Sequence, residues 1–117
     1  MKEEWAKRWV GALISDKYPQ TKRSLHNAEG YDPIGVLADI SGLGYYSSVR
    51  IEGADELRPR GFLLYDNSDK APPRVLGQLK DLTGLSFRGV GIIAEMNDRG
   101  ASFKQIAGFI AKHWEAL

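Results

Sequence analysis

The chain has 117 residues, 43% of them hydrophobic and 26% charged, with a formal net charge of +1, which predicts one globular domain (1–117) able to bury roughly two-thirds of its unfolded surface. The absence of cysteine excludes disulfides, thiolate catalysis and cysteine-type zinc sites, and fits a cytoplasmic setting. Up to Arg60 there are nine basic and nine acidic residues, and after it seven and six, so neither half is a basic arm for nucleic acid or an acidic tail.

Lys2 to Ser15 places Trp5, Ala6, Trp9, Val10, Leu13 and Ile14 at helical spacing, with Glu3 and Glu4 at the dipole end that favours acids. The charges in MKEEWAKRW interrupt any apolar run, so this start reads neither as a signal peptide nor as a membrane span. The stripe is read as core; a partner-binding face built on its two tryptophans is the alternative. From Asp16 to Tyr31 a proline, many polar residues and one clear aliphatic, Leu25, predict an irregular loop with at most a short strand. That loop holds Lys17, Lys22, Arg23 and His26 beside Tyr18, the chain's nearest approach to a basic and aromatic surface.

Asp32 to Gly44 predicts the central core helix. Asp32 is a suitable cap, Pro33 suits the first helical position, and Gly42 and Gly44 allow a left-handed exit. Between them Ile34, Val36, Leu37, Ala38 and Ile40 leave almost no polar face except Asp39, as expected of a helix surrounded by others. Tyr45 to Ile51 alternates like a half-buried strand and Gly61 to Asp66 reads as its antiparallel partner. Two strands alone are marginal in water, so the pair should lie against helices or recruit a third strand from the loop around Leu25.

Pro73 then opens a helix through Val75, Leu76, Leu79 and Leu82 that stops at Gly84. Ser86 caps the next, Phe87 to about Met96, and Asn97, Asp98, Arg99 and Gly100 turn the chain. Ser102 and Gln105 form a capping box before a last helix with Phe103, Ile106, Ala107, Ile110 and Trp114 on one face. The expected class is α+β, mainly helical, with about five helices and a small antiparallel hairpin or three-stranded sheet.

The central helix has an echo. Gly35 to Gly44 aligns without gaps on Gly91 to Gly100, matching Ala38 with Ala94 and Asp39 with Glu95. Convergence of two small-residue core helices is the simpler account and duplication the other.

Three patterns in the sequence bear on chemistry. Gly89, Gly91 and Ala94 spell GxGxxA, but the dinucleotide fingerprint needs a strand before the first glycine, where a helix exit and a Ser cap stand, so the glycines are read as permitting close helix contact. Gly100 to Ile110 resembles the first helix of a helix-turn-helix, with little chain left for a recognition helix. His26 and His113 lack any local triad or metal spacing, whereas Asp39 and Glu95, as acids on apolar helices, would be an acid–base pair if neighbouring and buried.

Tyr18 with Gln20, GYDPIGVLADISG at 30–42, PPRVLGQLKDLTGL at 72–85 and IIAEMNDRGASFKQIAGFI at 92–110 together resemble a group of small uncharacterised proteins of phages, prophages and their hosts. The family pattern is a Tyr-x-Gln-Gly segment, a CCLGVL core and a closing LNDxGxSFxxIAxxI; this chain has Asp32 and Pro33 where the cysteines fall and Thr21 in place of the glycine. The resemblance implies provenance and a shared fold, and brings no activity with it.

The expectation is therefore a non-enzymatic accessory protein that binds a host or phage protein, with Tyr18, Gln20, Lys22, Arg23, Asn97 and Asp98 as the candidate surface. The alternative is a nucleic-acid-associated protein using the basic loop and the Arg50, Arg58 and Arg60 region. Neither reading calls for a cofactor, a metal or a membrane, and neither specifies an oligomeric state.

Overall fold

A computed structural model describes residues 1–22, 26–27, 30–43 and 73–117. Among the described residues five helices carry the fold: α1 (Glu3–Leu13), α2 (Pro33–Ile40), α3 (Pro73–Thr83), α4 (Phe87–Asp98) and α5 (Phe103–His113), the last running into a 3-10 turn, Trp114–Ala116. The strands expected at Tyr45–Ile51 and Gly61–Asp66 lie outside the described residues, as does the Arg50, Arg58 and Arg60 region.

A small antiparallel ladder does form, within the loop before α2. Strands β1 (His26–Asn27) and β2 (Gly30–Tyr31) pair His26 with Tyr31 and Asn27 with Gly30. Tyr31 also bridges to Gln20, its N–H donating to the Pro19 carbonyl and its own carbonyl accepting from the Thr21 N–H, both at 2.7 Å. Gly30 makes this approach possible: it sits at φ 155°, and a Cβ there would lie 2.3 Å from the Pro19 oxygen.

α2 is the buried centre, as its sequence requires. Asp32 Oδ1 accepts from the Gly35 N–H at 2.7 Å, Pro33 occupies the first turn, and Pro33 to Ala38 are all buried. α1 and α4 pack on it, and the buried Trp9 indole donates to the Pro33 carbonyl at 2.8 Å. α1 buries Trp5, Ala6, Trp9 and Leu13, chiefly against α5, which contributes Phe103, Ile106, Ala107 and Ile110. Large apolar side chains are worth roughly 1.5–3 kcal/mol each on burial, so this seam is a principal source of stability. Ile14 departs from the expected stripe: it terminates α1 and is 51% exposed.

Local capping signals set the helix starts of the second half. Ser86 accepts from the Gly89 N–H at 2.9 Å, and Ser102 and Gln105 close their capping box reciprocally. α4 extends to Asp98, so Asn97 lies inside the helix and the turn begins only at Arg99. The echo between α2 and α4 does not survive as geometry. α2 has 8 residues and α4 has 12, and the left-handed glycine ending α2 is Gly42, which the alignment pairs with Asp98, while α4 ends on Gly100. Caps in different registers favour convergence.

Candidate functional site

The most specific pieces of the motif pattern, Tyr18-x-Gln20 and Asn97 to Phe103, meet in space. The Gln20 Nε2 donates to Asn97 Oδ1 and to the Ala101 carbonyl, each at 2.7 Å, and Gln20 Oε1 accepts from the Phe103 N–H at 3.2 Å. One side chain thereby satisfies groups at the end of α4 and the start of α5, where helix termini leave backbone donors and acceptors without partners. Asn97 completes the clamp from below, its Nδ2 donating to the Thr21 carbonyl at 2.8 Å.

This geometry corrects the reading of Asn97. It is 0% exposed and both ends of its amide are committed inside the protein, so it supports the surface from within. The turn-or-cap account also misses, because Asn97 is helical and bonds to a loop far away in sequence.

Tyr18 closes the other side of the loop. Its hydroxyl donates to Asp39 Oδ2 at 2.5 Å, and its ring stands edge-on to Tyr31 with centroids 4.9 Å apart. Burial, then the hydrogen bond to Asp39 and that residue's charge, raise the Tyr18 phenol well above its ordinary value; burial and Asp39 raise Tyr31 as well.

Asp32 is the acid that the sequence underrates. It caps α2 as its position predicts, yet the residue is only 6% exposed. Burial pushes it up to about 7; the N–H groups of Gly35 and Ile34 pull the other way, and the charge of Asp98 adds to the rise. Asp98 itself is exposed at the end of α4. No local signal marks Asp32 as buried, because a cap residue is normally solvated.

Of the remaining candidates, Lys22 is exposed, with Nζ 4.0 Å from where a Gly100 Cβ would stand, and Arg23 lies outside the described residues. Ile14, Asp16, Lys17 and Pro19 are also exposed along the same loop, and Asp16 holds φ 65°, a left-handed conformation uncommon for a side-chain-bearing residue.

Glu95 points to solvent and pairs with Arg99 at 2.7 Å, while Asp39 is bound by Tyr18, so the two acids do not form the buried couple that an acid–base reading needs. The GxGxxA glycines lie inside α4, which follows α3 rather than a strand; Gly89 does pack closely, a Cβ there standing 2.9 Å from the Leu117 oxygen, whereas Gly91 faces open space. After α5 the chain forms a 3-10 turn, so no recognition helix follows it among the described residues. No helix among the described residues is long and apolar enough to cross a membrane, and none of their acidic, histidine or cysteine side chains groups by threes as a metal site would.

A family model described as a domain of unknown function (DUF8296) matches residues 1–75, which take in Tyr18, Gln20, Asp32 and Asp39 but not Asn97 or Phe103. No curated protein and no solved structure matches the chain.

Proposed function

The chain belongs to that family of domains of unknown function, and on this premise we propose that it is a non-enzymatic accessory protein that binds a protein partner through the loop at 14–22. The observation that carries the reading is the Gln20 clamp: a surface loop is tied to the α4–α5 corner through the Asn97 side chain, the Ala101 carbonyl and the Phe103 N–H. Ordering a loop costs conformational entropy before any partner arrives, and a surface already ordered binds without that cost. Held this way, the loop presents Ile14, Lys17, Pro19 and Lys22 to solvent, an apolar and cationic combination suited to a protein face carrying acids beside an apolar patch. The strained Asp16 supports the same location, since such conformations cluster at binding and switching segments.

The motif resemblance supports a phage or prophage provenance, and the absence of cysteine supports a cytoplasmic setting; both belong to this proposal. A second reading rests on Lys17 and Lys22, exposed on one loop beside Tyr18: nucleic acid bound through phosphates. Capture from host lysate with and without nuclease separates the two. A protein retained after nuclease treatment and lost on Lys17→Glu with Pro19→Ser supports the protein reading. Loss of everything on nuclease treatment, with affinity falling steeply as salt rises, replaces it with the second.

A further inference from the structure

We propose that the outer face of α4 pairs with the same face of a second copy of this chain, antiparallel and two-fold symmetric about Gly91. The pairing goes beyond the binding reading above and does not depend on it, because the loop at 14–22 is held from the buried side of α4 through Asn97.

The spacing of α4 sets up the face. At about 100° per residue, Phe87, Arg88, Gly91, Glu95, Asp98 and Arg99 fall within about a third of the circumference, and all six are exposed. Phe87 is 55% exposed, a larger fraction than for Ile14, the other exposed large apolar side chain among the described residues. Lys80 stands over its ring at 5.1 Å and still leaves it open to solvent. The glycines of the GxGxxA pattern divide: a Cβ at Gly89 would meet Leu85 and Leu117 of its own chain, whereas nothing lies within 4 Å of one at Gly91. Gly91, with the half-buried Ala94 one turn on, is therefore the shallow part of the face, where a second helix can come closest.

The pattern complements itself in one direction only. Phe87 and Arg88 lie about one turn before Gly91, and Ala94 and Glu95 about one turn after it. Seen from solvent, Phe87 and Ala94 flank Gly91 on one side, and Arg88 and Glu95 flank it on the other. A two-fold axis at Gly91 lays Phe87 of each copy against Gly91 and Ala94 of the other, and brings Arg88 of each copy to Glu95 of the other. A parallel pairing sets Glu95 against Glu95 and Arg88 against Arg88, and leaves the gap at Gly91 unfilled. Glu95 already bonds Arg99 at 2.7 Å, and sharing an exposed pair of that kind costs little. Antiparallel helices also place each positive N-terminus beside a negative C-terminus. A single helix pair buries about 1,200 Å² or less, the small end of specific interfaces, so the dimer forms at high protein concentration and dissociates on dilution. Because α4 also holds the loop at 14–22, the dimer carries two copies of that loop.

The test is sedimentation velocity on the full chain from about 10 μM to about 1 mM, the range in which a small interface dissociates. Monomer is expected to give way to dimer as concentration rises. Phe87→Ser is expected to raise the dissociation constant at least about tenfold. Gly91→Leu is expected to do the same with an unchanged circular dichroism spectrum, since its side chain has open space in the single copy. Glu95→Arg sets arginines against each other across the axis and is expected to abolish the dimer, and Arg88→Glu combined with Glu95→Arg is expected to restore it. That restoration singles out the antiparallel register, because no parallel pairing about Gly91 places positions 88 and 95 opposite each other. A chain that sediments as a monomer throughout the range overturns the proposal, as does a dimer that Phe87→Ser and Glu95→Arg leave unchanged. A monomeric chain that captures a protein from host lysate and releases it on Phe87→Ser assigns the face to that partner and likewise overturns the pairing.

Discussion

The side-chain amides of Gln20 and Asn97 lie 77 positions apart in the chain and 2.7 Å apart in the fold. Because Asn97 also holds the Thr21 carbonyl and Gln20 also holds the α4–α5 turn, the pair joins the family-matched segment to the helices beyond it. Asn97→Ala removes an acceptor and a donor at a site from which water is excluded, and the expected loss is about 1–3 kcal/mol. Gln20→Ala is expected to cost less, since Gln20 is more exposed and water can replace part of its bonding. A double-mutant cycle by urea denaturation should show coupling of at least about 0.5 kcal/mol; additive losses would mean that the amides meet without stabilising each other.

Asp32 predicts the pH dependence of stability with a definite sign. Its folded pKa, about 7, lies above the ordinary value of 3.8, so between those values the native state holds a proton that the unfolded chain has released. Its contribution is full below about 4 and is lost as pH rises toward 7, at no more than about 1.4 kcal/mol per pH unit. Thermal denaturation across that window should show wild-type stability declining with pH and Asp32→Asn declining less. Parallel curves would assign the dependence to other groups.

The glycines of α4 and α5 should divide by surroundings. A Cβ at Gly89 would stand 2.8 Å from Leu85 Cδ1 and 2.9 Å from the Leu117 oxygen, and the backbone atom cannot swing away as a side-chain end can. Gly89→Ala is therefore expected to destabilise. Gly91 and Gly108 face open space within their helices, so Gly91→Ala and Gly108→Ala are each expected to stabilise by roughly 0.5–1 kcal/mol. Melting temperatures of the three variants check both signs.

Truncation after residue 75 keeps the whole family-matched region but removes most of α3 and all of α4 and α5. Trp9 is 0% exposed and α1 lies chiefly against α5, so the fragment would bare the largest side chains of its core. Weak helical circular dichroism and tryptophan emission typical of exposed indole are the expected results; a cooperatively melting fragment would mean that residues 1–75 suffice for a core.

The helix starts and stops were legible in the residues themselves because capping is local. Asp32, Ser86 and Ser102 each accept a hydrogen bond from an N–H three positions on, and a proline or glycine imposes its backbone preference without regard to the rest of the molecule. The burial of α2 was equally readable, since a helix with almost no polar face has to be surrounded. The candidate site was only partly legible: Tyr18, Gln20, Asn97 and Asp98 stood out as a surface, and Gln20 and Asp98 are exposed whereas Asn97 is buried. Their roles depend on which groups stand opposite them, and no window of sequence contains Gln20 together with Asn97, or Asp32 together with Asp98.

What the sequence alone determined was the set of elements, their ends and the apolar faces they must bury, because those follow from contacts a few residues apart. What only the tertiary structure decided was which polar groups ended inside. Packing α2 and α4 together withdrew water from Asn97 and Asp32, and without water an amide must find protein partners while a buried carboxyl holds its proton more tightly.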